Sequence, residues 1–153
     1  MMKKEILMRG QTASGSTETL EFSGMQIENK NMAYMMTEFT LYPSTNIGGA
    51  NEEVCATVTA GKTAITPTDP DFSNEALIGS ALLGLHGDQS KPTDSLSVVN
   101  DTYRITQNLI LMVQETSGAS TPVNWQCRFK AVKMNDAEMA ANNFKQYTIS
   151  DGS

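Results

Sequence analysis

The chain has few of the residues from which catalytic and metal sites are usually built. Its 153 residues include one histidine, His86, and two cysteines, Cys55 and Cys127. A structural zinc site takes four ligands, and these three residues lie far apart along the chain. A serine or cysteine nucleophile would need His86 as its base. The Gly-x-Ser-x-Gly motif that presents a nucleophilic serine is also not present. We interpret His86 as an exposed or capping residue of a Gly-flanked turn, with catalysis as the alternative. The sequence predicts no metal site, no cofactor and no enzyme.

Positive charge and long apolar runs are also scarce. Eleven Lys and Arg against seventeen Asp and Glu leave a net charge of −6, which argues against a generic polyanion binder. No apolar run is long enough to span a bilayer. Lys3 and Lys4 are followed by only a short apolar segment before Arg9, so no signal peptide is predicted. We expect synthesis in a reducing cytoplasm, with Cys127 as a small buried thiol and a disulfide to Cys55 as the alternative.

The chain is rich in alternating apolar and polar residues. The clearest case is the segment Val123–Met134, where one side of the pattern is apolar and the other polar and partly basic. The apolar side is Val123, Trp125, Cys127, Phe129 and Ala131, and the polar side is Asn124, Gln126, Arg128 and Lys130. Successive strand side chains point to opposite faces, so this segment is predicted to be a half-buried strand.

Similar segments, separated by Gly, Pro, Ser and Asn, predict about eight strands. The other predicted strands are Glu5–Arg9, Leu20–Phe22, Asn31–Tyr42, Val54–Val58, 76–85, 95–106 as a pair or one bent strand, and Leu109–Glu115. Residues 76–85 also fit a helix; we favour a strand because Gly79 and Gly84 would each weaken a helix by about 1 kcal/mol. The spacing of strands and turns is typical of an all-β antiparallel sandwich or barrel in one domain, residues 1–153.

The two ends of the domain are predicted to differ from its body. Residues 1–4 are expected to form a flexible arm. A short helix is predicted over 135–147, because Asn135 and Glu138 have the spacing of a capping box.

The strand at Asn31–Tyr42 carries apolar residues on both faces. By simple alternation, Met32, Tyr34 and Met36 face one way, whereas Ala33, Met35, Phe39 and Leu41 face the other. Methionine tolerates imprecise partners, so filling of the core and packing against neighbouring copies both stay open. The candidates for packing between subunits are Met32, Met35, Met36 and Phe39.

Two groups of charged residues are candidate sites. Arg128, Lys130 and Lys133 form a basic stripe, which is either a solvated outer face or a contact with nucleic acid or an acidic neighbour. Among the carboxylates, Glu52, Glu53, Asp69, Asp71 and Asp88 show no evidence of pairing across a cleft. A calcium loop at Asp69–Asp71 lacks the spacing that would make it specific.

The last third of the chain carries a resemblance to a known family. The segments concerned are Leu109–Val113, the turn Ser117–Pro122, which its composition predicts to be a hairpin-type loop, the strand Val123–Met134 and the helix start at Asn135–Glu138. The long strand at Asn31–Tyr42 also fits. By these segments the chain resembles the capsid and virion proteins of tailless icosahedral bacteriophages. The resemblance implies a single jelly roll and a structural role as a coat, penton or decoration subunit. It also implies trimers or pentamers, other virion proteins as partners, location in the virion, and no catalytic residues.

Two other functions compete with this one. A carbohydrate-binding sandwich, as on a fibre or receptor-binding protein, would need exposed aromatic residues, and its candidates are Tyr34, Tyr42, Tyr103 and Trp125. A hydrolase on a similar scaffold would need a cluster of histidines, which the sequence lacks.

Overall fold

The computed structural model describes residues 4–22, 32–45, 51–85 and 94–135, and positions 137, 138, 140, 141 and 144 after them. Within these residues the chain forms eight β-strands. They are β1 (Glu5–Thr12), β2 (Thr17–Leu20), β3 (Met32–Pro43), β4 (Glu52–Ala60), β5 (Leu77–Leu85), β6 (Asp94–Val99), β7 (Leu109–Glu115) and β8 (Val123–Lys133). The ambiguous segment 76–85 is therefore a strand, as favoured from its glycines.

The strands form two antiparallel sheets, and the predicted β-sandwich is confirmed at this level. The small sheet has three strands in the order β1-β8-β3, and the large sheet has five in the order β2-β7-β4-β5-β6. The alternation seen in the sequence sets the register: Phe129 of β8 lies opposite Ile6 of β1 and Met36 of β3. All three side chains are buried, so the apolar side of β8 lies in the core.

The core lies between the sheets and is joined by aromatic contacts. Phe22 follows β2 at the end of the large sheet, and its ring packs edge-on against Phe129 of the small sheet, with centroids 4.9 Å apart at 83°. The Tyr34 ring lies 5.6 Å from the same Phe22 ring. Tilted and edge-on pairs are the favoured aromatic arrangements. These contacts fix the spacing of the two sheets.

A β-bulge in β3 overturns the simple alternation predicted for this strand. The register against β8 shifts between Met36 and Glu38, so that Met36 and Phe39 both face the core, although they are three residues apart. They meet β5 at Gly79, where an added Cβ would lie 2.9 Å from the Met36 Sδ and 3.2 Å from the Phe39 ring. The predicted assignment of Met36 and Phe39 to opposite faces was wrong, because an extra residue in a bulge inverts the pattern beyond it.

The loop between β7 and β8 is not the hairpin that its composition predicts. β7 pairs with β2 and β4, whereas β8 pairs with β1 and β3, so the loop carries the chain from one sheet to the other. The buried Glu115 carboxylate shapes it, because the amides of residues 117–120 donate to its oxygens at 3.0 to 3.3 Å. The Thr121 hydroxyl donates a hydrogen bond to Oε1 of the buried Glu52 carboxylate. Two buried carboxylates thus hold the turn.

A second long connection, residues 61–76, covers the outer face of β4. The Thr57 hydroxyl donates to the Ile65 carbonyl, and the Ile65 amide donates to the Thr59 hydroxyl at 3.3 Å. Both threonines are fully or almost fully buried. β4 is therefore covered on both sides, by the small sheet within and by this connection outside.

Several predictions concern residues outside the described ones. His86, Asp88 and positions 1–3 of the predicted arm belong to this group. In the segment 135–147, the Glu138 amide donates to the Asn135 side chain at 2.7 Å, as expected of a cap. Most other positions there are not described, so the helix stays a prediction. Within the described residues, no helix has the length and hydropathy needed to cross a bilayer.

Candidate contact surface

The two sheets differ in width, and this leaves part of the large sheet uncovered. In the described chain the large sheet has five strands and the small sheet three. β6 is the outermost strand of the large sheet, and its residues Ser95 to Val98 are all exposed, on both faces. Only Val99, at its end, is partly buried against the core. β6 thus extends beyond the cover that the small sheet provides.

The outer face of β5 and β6 is apolar where it meets solvent. Leu96 of β6 lies directly opposite Leu82 of β5, and Val98 lies opposite Ser80. Leu96 is 63% exposed, Val98 46% and Leu82 42%. Phe72 of the 61–76 connection is 63% exposed and lines the same cavity as Val98. Together these four side chains form what we call the apolar ridge. Large groups of exposed apolar residues mark contact sites.

A cavity of about 260 Å³ separates the tip of the 61–76 connection from the two strands beside the ridge. The tip is held by its own polar side chains: Asp71 accepts from the Ser73 amide at 2.9 Å and from its hydroxyl at 2.7 Å, and Asn74 accepts from the Ala76 amide at 2.9 Å. These are turn-forming bonds. Asp71 is therefore engaged in shaping the turn, and among the described residues no three potential ligands come together as a metal site.

The backbone of β6 offers hydrogen-bonding groups along its open edge. In an antiparallel ladder, the amide and carbonyl of one residue point to the same side, and that side alternates along the strand. Asn100, just after β6, donates its amide to the Ile78 carbonyl of β5 at 2.8 Å. The backbone groups of Ser95, Ser97 and Val99 therefore point away from β5. Within the described ranges, no strand pairs with them.

Polar side chains on the outer face of the small sheet bond to one another within the chain. Arg128, from the predicted basic stripe, forms an ion pair with Glu38 (Nε to Oε2, 3.1 Å). Glu38 also accepts hydrogen bonds from the Thr40 hydroxyl at 3.0 Å and from the side-chain amide of Gln126 at 3.1 Å. These two bonds, and then Arg128, keep the pKa of Glu38 below its ordinary value.

The rest of the basic stripe is placed on the same face. Lys130 lies opposite Glu5 in register, and Lys133 lies opposite Met32. Both lysines are exposed. Arg128 and Lys130 each lie opposite a carboxylate residue, so a solvated outer face accounts for most of the basic stripe. Contact of the stripe with nucleic acid or with a neighbouring protein stays a prediction.

The other sequence candidates divide by burial. Met36 and Phe39 are buried in the core of the single chain, where filling of the core accounts for them. Met32 and Met35 are half-buried. Contacts of these four residues with a neighbouring copy stay a prediction.

The aromatic candidates for carbohydrate binding divide in the same way. Tyr34, Tyr103 and Trp125 are buried, and the Trp125 indole donates to the Thr12 hydroxyl at 2.9 Å. Tyr42 is 61% exposed. A stacking role therefore has one aromatic candidate left among the four.

The cysteines are free, buried thiols, as favoured from the sequence. Burial raises the pKa of both, and that of Cys55 reaches about 11, helped by the nearby Glu53 carboxylate. Thiolate chemistry is therefore suppressed at neutral pH.

The sequence did not single out the apolar ridge. The pattern Ser95-Leu96-Ser97-Val98 is that of any half-buried strand, and such a pattern is normally taken to place its apolar side in the core. The outward direction follows only from the register with β5, in which Leu96 lies opposite the exposed Leu82 and Val99 lies opposite Gly79 of the core side. In comparisons with known proteins, no family model matches the chain, and no curated protein matches it.

Proposed function

We propose that the chain is a structural subunit of a viral shell, as a coat, penton or decoration protein that self-assembles. One observation carries this proposal: a sandwich whose other outer face is polar and internally paired exposes an apolar ridge beside an open strand edge. Exposed flat apolar edges are normally guarded, because they pair with other chains. In a subunit that functions only in contact with copies of itself, such an edge is the working surface.

The strand order supports a jelly roll as the finer description of the fold. β1 pairs with β8, β2 with β7 and β4 with β5, which is the nested order of a long hairpin rolled onto itself. The fourth nested pair would join β3 to the chain near β6. A single bridge between Tyr34 and Ile105 stands there, with bonds of 2.9 and 2.7 Å.

The engaged state of the carboxylates supports a role without catalysis. Glu115 and Glu52 accept hydrogen bonds from the β7–β8 loop, and Asp71 accepts hydrogen bonds from Ser73. Carboxylates that hold turns in this way serve the fold. We place the mature protein in the virion after synthesis in the host cytoplasm, with trimers or pentamers as its assembly units.

The test is assembly of the purified chain, followed by light scattering over a wide concentration range and by electron microscopy. The expected result is oligomers or particles that the Leu96→Asp variant fails to form. Leu7→Asp is the matched control, because Leu7 is an exposed leucine, 44% accessible, on the polar outer face of the small sheet. A strictly monomeric unaltered chain, with no particles, would contradict the proposal.

A second candidate function, carbohydrate binding, is favoured by one specific observation. The exposed Tyr42 ring borders a groove of about 240 Å³ on the small sheet, which is also lined by Arg9, Thr40, Asn124 and Gln126. An apolar ring beside guanidinium and amide groups suits the mixed surface of a sugar. Glycan-array binding that Tyr42→Ala abolishes and Phe72→Ala leaves intact would support it, and the absence of binding by the unaltered chain would exclude it.

A further inference from the structure

The open edge of β6 is complementary to a second copy of itself. Within the part of the chain that the structure describes, its backbone groups without a strand partner belong to Ser95, Ser97 and Val99, as deduced from the Asn100 bond to β5. A two-fold axis at Ser97 places Ser97 opposite its own copy and exchanges the positions of Ser95 and Val99. Each outward-pointing amide and carbonyl of one edge can therefore meet a partner on the other edge.

We propose that β6 pairs antiparallel with β6 of a second copy about a two-fold axis at Ser97, which joins the two large sheets into one. This rests on the proposed function, since it names one contact by which subunits of a shell would meet. In this register Ser97 lies opposite Ser97 of the second copy, and Ser95 lies opposite its Val99. These are the positions whose amides and carbonyls exchange hydrogen bonds, as in any strand added to a sheet edge.

The side chains agree with the same register. Leu96 would lie opposite Val98 of the second copy, and Val98 opposite its Leu96, all on the face of the apolar ridge. Leu82 stands beside Leu96 on β5 and extends the contact on each side. In a register shifted by one residue, backbone groups that point outward from one copy would lie opposite residues of the second copy whose groups point back to its own β5. The apolar side chains of the two copies would then lie on opposite faces of the joined sheet.

Charge also favours this edge over the others. The segment proposed to pair, Ser95 to Val99, carries no charge, although β6 begins with Asp94. The other edge strands carry charge within their length: Glu5 and Arg9 in β1, Glu18 in β2 and Glu38 in β3. Charged residues on an edge strand oppose pairing with another chain. In a chain with a net charge of −6, an uncharged segment is where two copies repel each other least.

The contact is small, and this shapes the experiment. Stable interfaces bury at least about 1,000 Å², more than a six-residue strand edge provides. We expect a weak contact in isolation that gains strength when other contacts in an assembly hold the copies together. A covalent trap is therefore the sharpest measurement.

The trap is the Ser97→Cys variant under a mild oxidant such as oxidised glutathione. Directly opposite, hydrogen-bonded residues lie about 5.5 Å apart between Cα atoms, within the disulfide range of about 4.4 to 6.8 Å. The native cysteines are buried and do not compete. We expect a disulfide-linked dimer that forms at least tenfold faster than with Ser95→Cys, whose two copies would lie about 14 Å apart.

A second variant tests the backbone pairing itself. Ser97→Pro removes a donor that faces the open edge and leaves the ladder to β5 intact, a position where an edge strand tolerates proline. We expect at least a tenfold rise in the dissociation constant for self-association, measured by sedimentation, with an unchanged circular dichroism spectrum.

The outcomes separate this inference from the proposed function. Equal crosslinking at Ser95 and Ser97, or none at either, overturns the β6 register, and assembly of the unaltered chain would then leave the shell proposal standing. Selective crosslinking at Ser97 with no assembly larger than a dimer upholds the β6 contact and removes the shell proposal. A folded Ser97→Pro variant that associates like the unaltered chain also overturns the inference.

Discussion

The outer faces of the two sheets solve the problem of solvent exposure in opposite ways. On the small sheet, Arg128 and Gln126 of β8 both bond to Glu38 of β3, so the polar groups at the centre of this face pair within the chain. On the large sheet, a connection covers β4, but the outer strands present Leu82 and Leu96 to water. Polar pairing dominates the centre of one face, and adjacent exposed leucines dominate the edge of the other.

The difference follows from which side of a strand carries the apolar residues more than from strand composition. β6 and β8 both alternate apolar and polar side chains, yet the apolar side of β8 meets a facing sheet, whereas that of β6 points outward. A strand is buried only where another layer covers it. The unmatched strand of the wider sheet is therefore the place to look for contacts with other molecules.

The largest expected effect on stability comes from a substitution in the core between the two sheets. Phe129→Ala removes the ring that packs against Phe22 between the sheets, and we expect a loss of about 3–5 kcal/mol in the free energy of unfolding. Leu96→Ala should cost the monomer less than about 0.5 kcal/mol, because the side chain is exposed. Urea denaturation of both variants measures the difference. A loss above 1 kcal/mol for Leu96→Ala in the monomer would show that β6 is packed, and the comparison would fail.

The next effect concerns the loop that joins the two sheets. Glu115→Gln replaces a carboxylate, whose two oxygens both accept, with an amide that has only one accepting oxygen. Several donors of the loop would then be unpaired, and we expect the free energy of unfolding at pH 7 to fall by about 1–3 kcal/mol. Glu5→Gln, at an exposed strand position, is the control and should change stability little.

The same carboxylate gives a pH dependence with a definite sign. Burial raises the pKa of Glu115, but bonds from Ser117, from the Glu53 amide and from the Ser120 amide outweigh it, so the pKa lies below the ordinary 4.5. Its contribution to stability is therefore complete above about pH 4.5 and is lost as the pH falls through the lowered value. Thermal unfolding from pH 7 to pH 3 should show an acid loss that is smaller in Glu115→Gln. An equal acid loss in both proteins would contradict this assignment.

The smallest effect is expected on the polar face of the small sheet. Arg128→Ala removes an ion pair whose side chains are both more than a third exposed, and such pairs contribute about 0–1 kcal/mol. Because Thr40 and Gln126 also bond to Glu38, its pKa should stay below normal without the arginine. Carboxyl titration by NMR measures this. A return of the Glu38 pKa to its ordinary value would show that Arg128 dominates.

The sequence was most informative where alternation continues without interruption. The strand predicted at Leu109–Glu115 has those bounds in the structure, and the predicted Val123–Met134 strand ends one residue earlier, at Lys133. In both, one apolar side meets the core, so the pattern and the burial agree.

The failures have physical causes that lie outside a single strand. The faces of β3 were wrong beyond Met36, because a bulge adds a residue that no composition signal marks. The loop after Glu115 was wrong as a hairpin, since its Ser and Gly residues suit any tight turn. The apolar ridge was missed because alternation reports which side chains share a face, while the direction of that face depends on the register with the neighbouring strand.

The central position of β8 has a consequence for synthesis on the ribosome. β8 is the last of the eight strands along the chain, yet it holds β1 and β3 together in the small sheet. Until β8 has been synthesised, β1 and β3 have no strand between them, and the small-sheet side of the core stays open. Such long-range pairing also slows folding. The small sheet therefore forms only after β8 has joined strands that were made much earlier.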